Sequence, residues 1–245
     1  MKHAYEIMLS FQSKNETSAE RVLTEMFEFV DQLKTLSPNL DLDKWLLGGE
    51  TKDEAQVYKV FDSGNPAEAV TAILEKEFKD VADPRMVTIW NGLDGREGAS
   101  LRYMGRPEPH TSLVTFNGRP QSFSSDWKAV GNAVAAAALI WKPKFATLES
   151  NDYFDRKVFK DRPGAGWMIY LPEVLSESQV PEARALVPVM AEGDGKKKKS
   201  VQLGTIVVSV TDEAFSDQNP EHVKIANAIE IRLADQDLLP RYSDL

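Results

Sequence analysis

The sequence predicts an α+β fold: mostly antiparallel sheet or sheets with several helices packed against them. Three observations carry that prediction. Residues 3–11 alternate, with Ala4, Glu6, Met8 and Ser10 facing opposite to Tyr5, Ile7, Leu9 and Phe11, the period of a strand with one buried face. Three short β candidates follow at close spacing, at 86–90, 99–104 and 111–116, with Asn91-Gly92, Asp94-Gly95 and Asn117-Gly118 supplying turn chemistry between and after them. Stretches with a helical period lie between such strand groups rather than alternating with single strands.

Taken in order, the first strand leads to Thr17-x-x-Glu20, a capping-box pattern that predicts a helix start. The helix it opens places Val22, Leu23, Met26, Phe27, Val30, Leu33 and Leu36 on one apolar face, and Ser37-Pro38-Asn39 stops it. Trp45-Leu46-Leu47 and a turn at Gly48-Gly49 come next. Asn65-Pro66 predicts a second helix with Pro66 at its first position and Val70, Ile73, Leu74 and Phe78 inward. Asp126 is placed to cap an Ala-rich helix over 127–141, with Pro143 just beyond its end. Residues 145–148 and 167–171 read as strands. Residues 186–190 and 205–210 read as a further pair joined by a Gly/Lys-rich loop, and Asn219-Pro220-Glu221 opens a last helix that ends near Leu239-Pro240. A single domain over 1–245 is expected, divisible into two related lobes at 1–120 and 121–245.

Composition narrows the function classes. The chain has no cysteine, which excludes disulfides, thiolate metal sites and cysteine nucleophiles. The opening residues lack the long apolar stretch and small-residue cleavage site of a secretory signal, and no run approaches the ~20 apolar residues that span a bilayer, so a cytoplasmic protein without membrane contact is expected. Residues 1–100 carry 19 Asp/Glu against 11 Lys/Arg, whereas 101–245 carry 19 against 18. That acidic first portion disfavours direct nucleic-acid binding and favours a basic partner.

No catalytic set emerges. His3, His110 and His222 share no metal-ligand spacing. Glu192-Gly193-Asp194-Gly195-Lys196 resembles a metal-nuclease pattern, but a glycine-rich loop running into Lys197-Lys198-Lys199 cannot hold ligands precisely. Asp152 and Asp155 form a carboxylate pair that a hydrolase could use as acid and base, although the surrounding Tyr153, Phe154 and Arg156 suit a protein interface better. Gly164-Ala165-Gly166 and Gly92-x-x-Gly95 lack a phosphate-loop context and read as turns. Trp45, Trp90, Trp127, Trp141 and Trp167 read mainly as core, with one at a turn edge available as an anchor. No catalytic, cofactor or metal residue is therefore assigned.

Dispersed segments carry a resemblance. They are Trp45-Leu46-Leu47-Gly48-Gly49-Glu50-Thr51 with Glu54-Ala55, Ile89-Trp90-Asn91-Gly92, Gly166-Trp167-Met168-Ile169-Tyr170-Leu171-Pro172, and Gly204-Thr205-Ile206-Val207-Val208. Phe215, Asn219-Pro220-Glu221-His222-Val223, Ala226-Asn227-Ala228-Ile229-Glu230 and Leu238-Leu239-Pro240 complete the set. In their order and coverage the chain resembles the bacterial immunity protein 52 family. That resemblance implies a non-enzymatic antitoxin against a polymorphic toxin, often one delivered by a type VI secretion system, and a one-to-one complex with that toxin is the expected mode of action. The usual partner it implies is a restriction-endonuclease-like DNase. The acidic turns at Asp94 and Glu97 and at Asp152 and Asp155, with Trp90 as apolar anchor, are the expected contact residues. An effector adaptor or chaperone, and a metal-dependent hydrolase, are the rival readings.

Overall fold

A central strand that binds neighbours from both halves of the chain organises the molecule. The structure, a computed structural model, describes residues 5–12, 18–49, 51, 53–80, 84–106, 111–118, 125–192 and 200–244. Strand β1 (Tyr5–Gln12) precedes helix α1 (Ala19–Leu33). The helix is capped by Ser18, whose hydroxyl accepts from the Arg21 N–H; the expected cap, Thr17, lies outside the described residues. Ala19, Val22, Leu23, Met26, Phe29, Val30 and Leu33 of α1 are buried, each apolar side chain larger than alanine contributing roughly 1.5–3 kcal/mol.

The two-residue strand β2 (Leu46–Leu47) is followed by a miniature hairpin of β3 (Phe61–Asp62) and β4 (Asn65–Pro66). The expected helix start at Asn65-Pro66 is thus displaced. Ser63 and Gly64 take positive φ values of 50° and 82°, turning the chain so that Pro66 pairs with Phe61, and helix α2 (Glu68–Asp80) begins beyond the hairpin. Strands β5 (Arg85–Trp90), β6 (Ala99–Gly105) and β7 (Thr111–Gly118) form an antiparallel run, and Asn117-Gly118, expected as a turn, closes β7 as paired residues. Helix α3 (Trp127–Trp141) has the predicted limits. Asp126 accepts from the Lys128 N–H, and Lys142 ends the helix in the left-handed conformation before Pro143.

Strands β8 (Phe145–Ser150), β9 (Met168–Leu171), β10 (Ala185–Ala191) and β11 (Val201–Val208) follow, then helix α4 (Pro220–Asp235). Helix α4 stops four residues before the expected end at Leu239. Asp237 adopts φ 54°, and the Leu238 N–H returns to the Leu233 carbonyl, a left-handed closure that terminates the helix without waiting for Pro240.

Among the described residues nine strands make one antiparallel sheet in the order β10-β11-β9-β8-β1-β7-β6-β5-β2. Strand β1 is the seam: β7 on one side, β8 on the other. One face of the sheet is apolar, presenting Ile7, Leu101, Tyr103, Val114, Phe116, Ala146 and Leu148, all buried. Helices α1 and α3 cover it, with Phe29 of α1 set edge-on to Phe116 and to Trp141. Of the tryptophans, Trp45, Trp141 and Trp167 are buried core residues.

Candidate binding face

The opposite face divides at the seam. Directly paired residues in an antiparallel ladder point the same way, so the register defines rows across several strands. One row runs Trp90, Ser100, Asn117, Glu6, Glu149; the next runs Thr88, Arg102, Thr115, Met8, Thr147. A third brings Met86, Met104 and Leu113 together and ends at Phe145. In β7 the alternation is regular, with Ser112, Val114, Phe116 and Gly118 buried and Thr111, Leu113, Thr115 and Asn117 half-exposed. Met86 is 50% exposed and Arg102 is exposed. Among the described residues, no α-helix covers this face over β5, β6 and β7; the 3-10 turn Glu54–Gln56 reaches its Trp90 corner.

Beyond the seam the same face is covered. Tyr242 lies 6.3 Å from Phe145, ring centre to ring centre, and α4 reaches in through Glu230. The Glu230 carboxylate accepts from the Tyr153 hydroxyl at 2.6 Å, the Ala165 N–H at 3.0 Å and the Val158 N–H at 2.8 Å. It ties the segment between β8 and β9 to the helix. Tyr153 packs edge-on against Phe215, whose ring stacks with the buried His222. His222 accepts the Ser216 N–H at Nδ1 and lies 3.1 Å from Glu213 through Nε2. His3, His110 and the loop bearing Asp194 and Lys196 to Lys199 lie outside the described residues.

Where covered and open halves meet there is a groove of about 660 Å³. Glu6, Met8, Phe145 and Glu149 form its floor, Leu113, Met104 and Arg106 its open side, and Asn151, Phe154 and Tyr242 its wall. Phe154 is 49% exposed, while Glu149 is only 8% exposed and its Oε2 has no hydrogen-bond partner within the described chain. Gly164 and Gly166 lean directly on Glu149: a Cβ on Gly164 would meet Oε2 at 2.7 Å, and one on Gly166 would meet the Glu149 Cβ at 2.6 Å.

Burial pushes the Glu149 carboxyl up to about 7, with the charges of Glu6 and Glu230 adding and that of Lys157 opposing. Glu6 is raised as well, by desolvation against a hydrogen bond from Asn117. Lys157 is buried and its pKa is lowered by desolvation; its ammonium donates to the Arg162 carbonyl at 2.8 Å and sits 4.5 Å from the Phe154 ring centre. Because folding raises the Glu149 pKa, the folded chain holds that proton more tightly than the unfolded one. Its contribution is complete below the ordinary value of 4.5 and is lost as pH rises through about 7, an effect of about 3 kcal/mol. Glu149→Gln should flatten the fall in Tm between pH 5 and pH 8 and raise Tm at pH 8; a parallel pH profile for the variant would contradict this.

The residues expected from sequence lie at one end of the sheet. Tyr5 pairs with both Gly118 and Ser150, and Ala99 with Gly118, so the β5–β6 turn and the 3-10 turn Asn151–Asp155 leave the sheet at the same end. From β6 to β8 is three strand spacings, about 14 Å. Trp90 shares the row of Glu6 and Glu149 but is half-buried, its indole N–H donating to the Ala55 carbonyl at 2.9 Å. Asp94 and Glu97 are exposed on a turn fastened by the buried Asn91, which donates to the Glu97 and Asn39 carbonyls and accepts from the Ala99 N–H. Asp152 and Asp155 are exposed on either side of Tyr153 and Phe154. Glu6 and Glu149, the carboxylates closest to the groove, carried no motif. The sequence signal for Glu6 is an acid within a strand pattern, and Glu149 lies one residue beyond the strand read over 145–148. Among the described residues no group of three or more His, Asp or Glu is arranged to hold a metal, and no helix is long and apolar enough to cross a membrane.

No curated protein matches the chain. Among solved structures, a Pseudomonas aeruginosa T6SS protein is similar in fold, with TM-score 0.52 and 11% identity over 93% of this chain and 76% of its own. The family profile described as Immunity protein 52 matches residues 7–241, from the central strand to beyond the last helix. A match over nearly the whole chain shows the family: the chain belongs to the immunity protein 52 family.

Proposed function

We propose that this protein neutralises a cognate antibacterial toxin by binding it one-to-one through the open face of β1, β7, β6 and β5 and the turns at its end. The observation that carries the reading is a sheet face that, among the described residues, no α-helix covers over three strands, in a family of immunity proteins. Half-exposed Met8, Met104 and Leu113 with exposed Met86 give it an adaptable apolar centre. Arg102 adds a charge in the middle row, and Glu6 with the acidic turns of Asp94, Glu97, Asp152 and Asp155 gives the face a polar rim.

The toxin is a restriction-endonuclease-like DNase delivered by a type VI secretion system, and it is silenced by covering its active site or DNA cleft. A DNase presents positive potential to phosphate. The excess of 19 acidic over 11 basic residues in positions 1–100 suits that surface and speeds encounter with it. The chain itself performs no chemistry and acts in the cytoplasm. Mixing it with the toxin domain encoded beside it should give an equimolar complex by size-exclusion chromatography and abolish DNA cleavage. Separate elution with undiminished cleavage would reject the proposal.

A further inference from the structure

We propose that the groove between Glu6, Glu149 and Phe154 is a receptor for one basic side chain, an arginine or lysine, of the bound protein partner. The inference rests on the proposed toxin-binding function and gives it a specific anchor point. Glu6 and Glu149 are in-register neighbours on adjacent strands and face the same groove. The Glu149 side chain lines the groove although it is 8% exposed; its Oε2, closed off beside Gly164, has no hydrogen-bond donor from the described chain, so the carboxylate as a whole is left short of partners and a cation in the groove would balance its charge. The resident cation does not fill that role by hydrogen bonding to it: Lys157 is committed to the Arg162 carbonyl and, at 3.2 Å, to the Tyr242 hydroxyl.

The groove suits the rest of such a side chain. Met8, Phe145 and Phe154 offer apolar and aromatic surface for an aliphatic stem, and aromatic faces there already hold ammonium groups, Lys157 and Lys160 lying 4.5 and 5.1 Å from the Phe154 ring centre. A guanidinium has the further advantage of a fork of donors for two carboxylates. Arg106 lines the open side of the same groove. The groups that set the charge of Glu149 are Glu6 from β1, Glu230 from α4 and Lys157 from the segment after β8, with the hydroxyls of Tyr153 and Tyr242 nearby. Binding therefore draws the Glu149 proton off and strengthens with pH.

The test uses the full chain and N-acetylarginine amide as probe, followed by backbone amide shifts in NMR. At pH 8 the shifts should saturate and centre on residues 6–8 and 145–154. Affinity should fall roughly 30-fold at pH 5.5, and should weaken also in Glu149→Gln, whose neutral isostere keeps the fold; Glu6→Gln should weaken binding in the same direction. N-acetylnorleucine amide, which has the stem without the charge, should leave these amides unmoved. No shift in the groove, equal binding by Glu149→Gln, or equal binding by the norleucine probe would each overturn the inference. The two proposals fail separately. A toxin complex without probe binding removes the cation receptor alone, and probe binding without a toxin complex removes the toxin partner alone.

Discussion

Glu230→Ala should lower the stability of this protein by about 3–5 kcal/mol, or on the order of 10 °C in Tm. Glu230 is fully buried in α4 and accepts three hydrogen bonds, from the Tyr153 hydroxyl and the Ala165 and Val158 N–H groups. Truncation strands all three donors in a place where water enters only by opening the packing of Tyr153 against Phe215. The segment they fasten forms one wall of the groove, so affinity for the toxin should fall along with stability. Glu230→Gln keeps one acceptor oxygen, enough for the Tyr153 hydroxyl and the Ala165 N–H that share Oε1, but turns its NH2 toward the Val158 N–H, and should cost less than the alanine variant. Thermal unfolding of the two variants checks the ordering, and an alanine variant within 2–3 °C of the wild type would contradict it.

Gly166→Ala should be nearly as damaging. Gly166 has φ 47°, a region that costs an L-residue roughly 1–2 kcal/mol. Its added Cβ would also stand 2.6 Å from the Glu149 Cβ and 2.8 Å from the Leu148 carbonyl oxygen, both held in β8 between β1 and β9. Neither neighbour is the movable tip of a side chain. Overpacking of that kind adds about 1–3 kcal/mol, for a total of about 3. Gly131→Ala provides the contrast. Gly131 lies inside α3, its Cβ would meet only the Met168 sulfur at 3.7 Å, and alanine there should stabilise by roughly 0.5–1 kcal/mol. Opposite signs in urea unfolding are expected; equal effects would remove the packing argument.

Local chemistry made much of the fold legible. Asp126 and Asn219 cap the helices they were expected to cap, and the alternation around Ile7 correctly separates a buried face from the face of Glu6 and Met8. The errors are equally local. Asn65-Pro66 matches a helix start, yet Ser63 and Gly64 can take positive φ and close a hairpin first, a competition that neither pattern decides alone. Leu238 and Leu239 continue the apolar period of α4, but the left-handed Asp237 ends the helix before them.

The site was less legible because it is made by pairing over long distances. Position 6 and position 149 become neighbours only when β1 inserts between β7 and β8, and nothing in either segment specifies its partner. The acidic turns could be named from sequence because turn residues announce themselves. That the turns bearing Asp94 and Asp152 leave the sheet at the same end is a property of strand order.

The central claim, that the open sheet face is what a toxin covers, is tested most directly at Thr115. This half-exposed residue lies in the middle row, paired with Arg102 on β6 and Met8 on β1. Thr115→Arg adds bulk and a second positive charge without touching the buried face, so Tm should stay within about 2 °C of the wild type. Affinity for the cognate toxin domain, measured by calorimetric titration, should fall at least about 100-fold. A correctly folded Thr115→Arg protein that binds the toxin as tightly as the wild type would place the interface elsewhere and contradict the account.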